Sequence, residues 1–324
     1  MNTYMYAAYP QAEVKKHATS YIPTYGSQAT RVEDHLSYYL DTPCSVYIET
    51  SKRKVMLDKP KGNWEIDKEL YNEGIYCIAI FDRVLTPDEK LDNFDYDVIN
   101  SFIMNVKADG GTIDEALWKE GYSNLTEAQK QSYMNVLPGA YKGGKIYGIV
   151  KDGSLIPFNF DRKSAAAYLD KNNNLAWANV HIPRIDYFNY GGSPKLLIEN
   201  ASANKVLHSV KLDEPVWGKN NVLVGKSTLK AFNGEPYYIV SKTTTEQNSS
   251  IRQVIKLDSE ITDGAVTVKV AIRKGNQPSV GISLYNGAIG YGDIKDYSCK
   301  ILKGEASPRI TSSELMTDWQ NEEE

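Results

Sequence analysis

The sequence predicts a mainly β, multi-domain protein with a small α-helical insert and a C-terminal antiparallel β-sandwich of jelly-roll type. Three observations predict it. Val266, Val268, Val270 and Ile272 alternate with Thr267, Lys269, Ala271 and Arg273, the period of a half-buried strand. Turn signals such as Asp263-Gly264 and Lys274-Gly275-Asn276 separate runs of this kind at the spacing of sandwiches and jelly rolls. Helical spacing is confined to the middle of the chain, where Val98, Phe102, Ile103 and Val106 share one face before a glycine stop at Gly110-Gly111. A length of 324 residues exceeds the usual single core, so two or three domains are expected.

Composition narrows the function classes. Hydrophobic content of 41% and charged content of 24% are those of an ordinary folded chain. A net charge of −4, with no basic stripe, gives no reason to expect nucleic acid as a partner. The densest apolar run, Ile75–Phe81, is far shorter than a membrane span, so no membrane insertion is expected. The N-terminal stretch lacks a basic region ahead of an apolar core, so no secretory leader is expected. Cys44, Cys77 and Cys299 leave one over from any pairing, which fits reducing cytoplasmic assembly; a Cys44–Cys77 bond is the one alternative. Tyrosine, at 23 against 7 phenylalanines, is the one skew, and it suits either β structure in general or half-exposed binding faces.

Taken in order, residues 1–31 read as an extended arm, because Pro23 sits among β-formers and Gly26 follows it in a turn. Residues 32–94 read as a reduced β module with strands at Ser45–Thr50, Lys54–Leu57 and Ile75–Phe81. Lys52-Arg53-Lys54 is then a solvated turn. Thr86, Pro87 and Glu89 form a capping box opening a helix. Residues 95–140 read as a small helical module, with further capping boxes at Thr112/Glu115 and Thr126/Gln129, and with Ala116-Leu117-Trp118 in its core. Residues 141–205 read as a hairpin-rich connector with strands at Ile146–Val150, Pro157–Phe160 and Leu196–Ile198 and a turn at Asp170–Asn174. The jelly-roll sandwich occupies residues 206–305, with further alternation over Val280–Leu284 and Tyr297–Ile301, and an acidic tail occupies 306–324.

Gly225-Lys226-Ser227-Thr228 looks like the end of a phosphate loop, but Asn220 stands where its first glycine belongs and Val222-Leu223-Val224 reads as strand. Asp170, Asn172 and Asn174 match the first ligands of an EF-hand, but Leu175 takes the glycine position and His181 the glutamate position. His17, His35, His181 and His208 have no metal-ligand spacing, and no G-x-S-x-G elbow is present. No pair of carboxylates can be singled out for glycoside hydrolysis. The chain is therefore read as no enzyme, with no cofactor and no metal.

Several stretches carry a resemblance. Ala18–Arg31, ATSYIPTYGSQATR, resembles a segment common in tail-fibre and other virion proteins of tailed phages, where it closes one β-sandwich and leads to the next. Ile75–Lys90, ending in FDRVLTPDEK, resembles the closing strand of laminin-G-like, lectin-type sandwiches. Asn105–Thr112 is similar to a small helical motif of phage structural proteins. Most specifically, GAYKGGKIYGIV, FNFDRKSAAAYLD, IPRIDY and PKLLIENASAN follow one another over residues 139–204 as they do in the connector of phage fibre proteins. Asn173 and Asn200 depart from the glycine and proline usual there.

The resemblance implies a virion structural protein of a tailed phage, a head or tail fibre, spike or decoration subunit, assembled in the host cytoplasm. Its implied partners are other virion proteins (capsid, portal or tail components), further copies in a dimer or trimer, and a host-surface glycan. Tyr21, Ile22, Pro23 and Tyr25 are the candidate anchoring residues, and Trp217, Tyr237, Tyr238 and Tyr285 the candidate glycan or partner contacts. A glycan-binding adhesin is the alternative reading and a polysaccharide depolymerase the third.

Overall fold

The computed structural model describes residues 3–15, 19–92, 132–150, 154–170, 172, 174–187, 195–230, 235–244, 249–255, 267–273 and 276, and two-residue bridges at 279–280, 299–300, 309–310 and 319–320. The fold is mainly β with antiparallel sheets, and α1 (Pro87–Asp92) is the single α-helix among the described residues. The chain divides into two compact units: residues 1–31 with 202–324, and residues 32–201. The second unit is thus an insert in the first.

The first unit opens with β1 (Tyr4–Glu13) and β2 (Ala29–Arg31). The insert follows. Its long strands are β3 (His35–Leu40), β4 (Cys44–Thr50), β5 (Lys54–Lys59), β6 (Gly62–Glu65), β7 (Ile75–Phe81), β8 (Ser132–Lys142) and β9 (Lys145–Val150). Short strands complete it: β10 (Leu155–Pro157), β11 (Asn159–Asp161), β12 (Ala166–Leu169), β13 (Leu175–Ala178), β14 (Arg184–Asp186) and β15 (Lys195–Leu197). β7 pairs with β4, β8 and β15, at the centre of an eight-stranded sheet. That position explains its unbroken apolar run, since a central strand is covered on both faces. Strands β11, β3 and β6 form a second sheet. Leu36, Leu40 and Trp64 from it share one core with Val46, Ile48, Ile78, Ile80, Met134 and Leu196 from the large sheet. Two sheets closing on one core make the insert sandwich-like.

The chain returns to the first unit through β16 (Ser202–Asn204), which pairs antiparallel with β2, and continues as β17 (Gly218–Asn220), β18 (Val222–Lys230), β19 (Pro236–Lys242), β20 (Ser250–Arg252) and β21 (Thr267–Arg273). β1 lies between β19 and β21 in a sheet of order β18-β19-β1-β21. Ala7, Tyr238, Val240 and Val222 from one face of that sheet pack with Val206, Leu212 and Trp217.

Three domain expectations change. Residues 1–31 are not an extended arm: β1 makes antiparallel ladders with β19 and β21, which places Tyr4 opposite Ser241 and Tyr6 opposite Arg273. Residues 32–94 and 141–205 are not separate modules, because β7 pairs with β8 and β15. The end of the helical module, from Ser132, is strand β8. A register shift between Val136 and Tyr141 lets β8 carry Pro138 and Gly139 without ending. The helical readings at 98–131, the strands beyond Val280 and the acidic tail fall outside the described residues, apart from the short bridges.

Local expectations are met where local chemistry sets the geometry. Glu89 accepts from the Thr86 amide at 2.8 Å and the Glu89 amide donates to Thr86 Oγ1 at 3.4 Å, the reciprocal capping box that opens α1. Asp170 Oδ1 accepts from the amides of Asn172 at 2.9 Å and Asn174 at 2.8 Å, closing the turn between β12 and β13. Cys44 and Cys77 are buried free thiols, Cys44 opposite Lys59 and Cys77 opposite Glu49 in the sheet register. Burial first, and the Asp58 charge second, push the Cys44 thiol up to about 11. Burial and Glu49 drive Cys77 further in the same direction. Both therefore stay protonated through neutral pH, and only the thiolate attacks. At pH 7.5, alkylation of Cys44 and Cys77 by iodoacetamide is expected to run at least about 100-fold slower than in the urea-unfolded chain, read by peptide mass spectrometry. Equal rates in both states would refute the buried placement.

Candidate functional site

Three charged residues of the connector motifs, Arg162, Arg184 and Glu199, converge with Asp34 inside the insert. Asp34, Arg162 and Arg184 are fully buried, and Glu199 is 5% exposed. Asp34 Oδ1 accepts from Arg162 Nη1 at 3.2 Å, and Asp34 Oδ2 accepts from Arg184 Nη2 at 2.5 Å. Arg184 Nη1 donates to Glu199 Oε2 at 2.6 Å and to the Ala167 carbonyl at 3.1 Å. Arg162 spends its remaining donors on main chain, reaching the carbonyls of Ser164 at 2.7 Å, Asn179 at 2.8 Å and Ile182 at 2.9 Å. Two guanidinium and two carboxylate groups balance. Burial opposes the Arg184 charge, but Glu199 and Asp34 outweigh it and raise its pKa above the ordinary arginine value.

This cluster ties the two ends of the insert together. The Asp34 amide donates to the Glu199 carbonyl at 2.9 Å, and the Glu199 amide donates back to Asp34 Oδ2 at 2.8 Å. Asp186, the aspartate of IPRIDY, accepts from the Leu169 amide at 2.6 Å and so docks the β12–β13 hairpin. The Asn200 amide donates to Asn72 Oδ1 at 3.3 Å, a bond that the proline usual at that place lacks.

A second buried cluster of hydrogen bonds holds the first unit. The Glu13 carboxylate accepts from Gln11 Nε2 at 2.8 Å, from Thr19 N at 2.8 Å and Oγ1 at 2.6 Å, and from Ser202 Oγ. Asn204 Oδ1 accepts from the amides of Ala12 and Val206, each at 3.1 Å, while its Nδ2 donates to the Ile22 carbonyl at 2.7 Å. The Thr24 amide donates to Ser209 Oγ at 2.9 Å, the Ser209 amide donates to Thr24 Oγ1 at 2.7 Å, and the Tyr21 hydroxyl lies 2.8 Å from Ser209 Oγ. Burial raises the Tyr21 pKa, so this hydroxyl stays neutral.

The anchoring candidates divide accordingly. Tyr21 and Ile22 are buried in the first unit, Pro23 is half-buried, and Tyr25 stands 72% exposed on the turn held by Thr24. Among the glycan candidates, Tyr238 and Trp217 belong to the core, where Trp217 Nε1 donates to the His208 carbonyl at 3.3 Å. Tyr285 lies outside the described residues. Tyr237 alone of the described candidates is on the sheet face turned away from that core. There it meets two residues the sequence reading missed. Tyr6 packs edge-on against Tyr237 with ring centroids 6.4 Å apart, and Tyr4 packs on Tyr6 at 5.6 Å. Ile239 and Leu223 share the face by register, and Leu223 is 66% exposed. The available signal was the alternation of Tyr4 and Tyr6 with Met5 and Ala7.

No family model, curated protein or solved structure matches the chain. The geometry is therefore the basis for any reading of function. Gly225-Lys226-Ser227-Thr228 lies inside β18, an extended strand whose amides cannot converge on a phosphate. Among the described residues, no group of three or more His, Cys, Asp or Glu side chains is placed to hold a metal ion. Among the described residues, the arrangement offers two buried hydrogen-bonded clusters and one half-exposed tyrosine face.

Proposed function

We propose that the chain is a structural component of a tailed-phage virion, a fibre, spike or decoration subunit that works as an oligomer. One observation supports the reading above the others. The residues that carry the resemblance, Arg162, Arg184, Asp186, Glu199 and Asn204, are spent on buried internal bonds. Such residues set a shape rather than run a reaction, and a virion subunit is selected for its shape. The first 31 residues, being part of the first unit, contribute to attachment through exposed positions such as Tyr25 and not as a free arm. An exposed tyrosine on a turn fixed by buried hydrogen bonds has the character of an interface anchor. Antibody raised against the whole chain is expected to decorate intact particles of the phage that encodes it; unlabelled particles that give no signal after disruption either would overturn the reading.

The tyrosine face favours a second element, contact with a host-surface glycan. Rings with an apolar face and a hydroxyl tip suit the mixed surface of a sugar, and weak single-site affinity is raised by multivalent display. A glycan array probed with the full chain is expected to show binding that Tyr6→Ala and Tyr237→Ala each reduce at least about tenfold, roughly the loss of one stacked ring. Binding unchanged in both variants would remove the face from consideration.

A further inference from the structure

We propose that Gly225 is the floor of a saccharide subsite at the margin of the tyrosine face, where one sugar ring lies on the main chain of β18 between Leu223 and Ile239. The proposal rests on the glycan reading of that face and says where on it the sugar sits. Ladder register puts Leu223, Ser241 and Tyr4 in one row across the sheet and Gly225, Ile239 and Tyr6 in the next. Tyr237, two positions from Ile239 on β19, meets Tyr6 on the β1 side. The row that holds Gly225 therefore lacks a side chain at its β18 end.

No structural need for glycine exists at this position. Gly225 is not among the positive-φ glycines, unlike Gly26 or Gly74, so the backbone does not demand it. A Cβ built there would meet no heavy atom within 4 Å, so packing does not demand it either. Gly148 shows the contrast, because a Cβ there would strike the Met134 side chain. A glycine inside a strand weakens it and marks a place where a ligand or another backbone comes close. Of these two occupants, another strand is disfavoured. β18 ends the order β18-β19-β1-β21, but Lys226 is exposed on it and its ladder shifts register between Lys226 and Lys230. There the Leu229 amide donates to Ser227 Oγ at 3.0 Å. A lysine and an irregular ladder both blunt an edge against strand addition.

A sugar ring suits the opening. Same-face neighbours on a strand stand about 7 Å apart and adjacent strands about 4.8 Å, so one missing side chain leaves a place on the order of one pyranose ring. Leu223, 66% exposed, and Ile239 offer apolar contact to the ring's C–H groups. Ser241 and the tyrosines beyond it supply hydroxyl groups, which both donate and accept. The glycine of Gly225-Lys226-Ser227-Thr228 thus serves a ligand by leaving room, not by wrapping a phosphate.

An array of neutral and acidic oligosaccharides, probed with the full chain and with Gly225→Ala and Gly225→Val, tests the subsite. Binding is expected to fall stepwise, to at least about tenfold weaker with valine. The urea midpoint of unfolding is expected to stay the same or rise with valine, which suits a strand and meets open space. If valine lowers the midpoint, the alanine variant, one methyl larger than glycine, decides. Binding kept in both Gly225 variants but lost in Tyr6→Ala and Tyr237→Ala overturns the subsite and leaves the glycan reading standing. Absence of binding by the unmodified chain overturns both. A Gly225→Val chain that binds as before but no longer self-associates in sedimentation overturns the subsite in favour of strand pairing between copies.

Discussion

Replacing Asp34 by alanine is expected to destabilise the insert by about 3–5 kcal/mol, the cost of leaving buried charges uncompensated. The substitution removes both carboxylate oxygens that face Arg162 and Arg184, while Glu199 remains the one carboxylate bonded to Arg184. It also strips the Glu199 amide of its acceptor. Two guanidinium groups and one carboxylate are then buried with a net positive charge. The matched control is Asp58→Ala. Asp58 pairs with Lys90 at 2.6 Å, its pKa lowered by the hydrogen bonds from Lys90 and Ser45, and it faces solvent. An exposed pair of that kind contributes at most about 1 kcal/mol. Urea unfolding followed through insert peptides separates the two cases, and an Asp34→Ala loss no larger than the control would show that the cluster is not a lock.

Asn204→Ala is expected to cost the first unit about 3–5 kcal/mol. One side chain there serves the Ala12 amide, the Val206 amide and the Ile22 carbonyl, and all four residues are buried. Each buried main-chain group left unsatisfied costs about 1–3 kcal/mol. Asn204→Asp keeps the acceptor and loses the donor, so it is expected to fall between alanine and the native residue. If alanine and aspartate were equally well tolerated, main-chain pairing of β16 with β2 would suffice to hold β1, and the side chain would be incidental.

Much of the local structure was legible because it is set by neighbours in sequence. The bounds of β7 follow from an apolar run between turns, and the α1 cap follows from threonine, proline and glutamate at fixed offsets. The turn after β12 follows from an aspartate able to accept from amides two and four positions on. The long-range structure was less legible. β1 is a sheet strand because of partners near residues 240 and 270, and a segment whose partners are that distant looks like an unattached extended chain. The buried ion cluster was hidden for another reason. Arginine, aspartate and glutamate are ordinarily exposed, so nothing local marks Asp34, Arg162, Arg184 and Glu199 as interior. Arg162, Arg184 and Glu199 stand within the stretches that carry the resemblance, and Asp34 does not. For the candidate site the sequence supplied Tyr237 but paired it with Tyr238, whose neighbouring position on a strand sends it to the opposite face.

The proposal that this chain is built into a phage particle is tested by quantitative mass spectrometry of purified virions. Its peptides are expected at a fixed copy number relative to the capsid protein, in whole multiples of a dimer or trimer, and retained through a high-salt wash. Absence from purified virions, with the chain recovered free in the lysate, would contradict it.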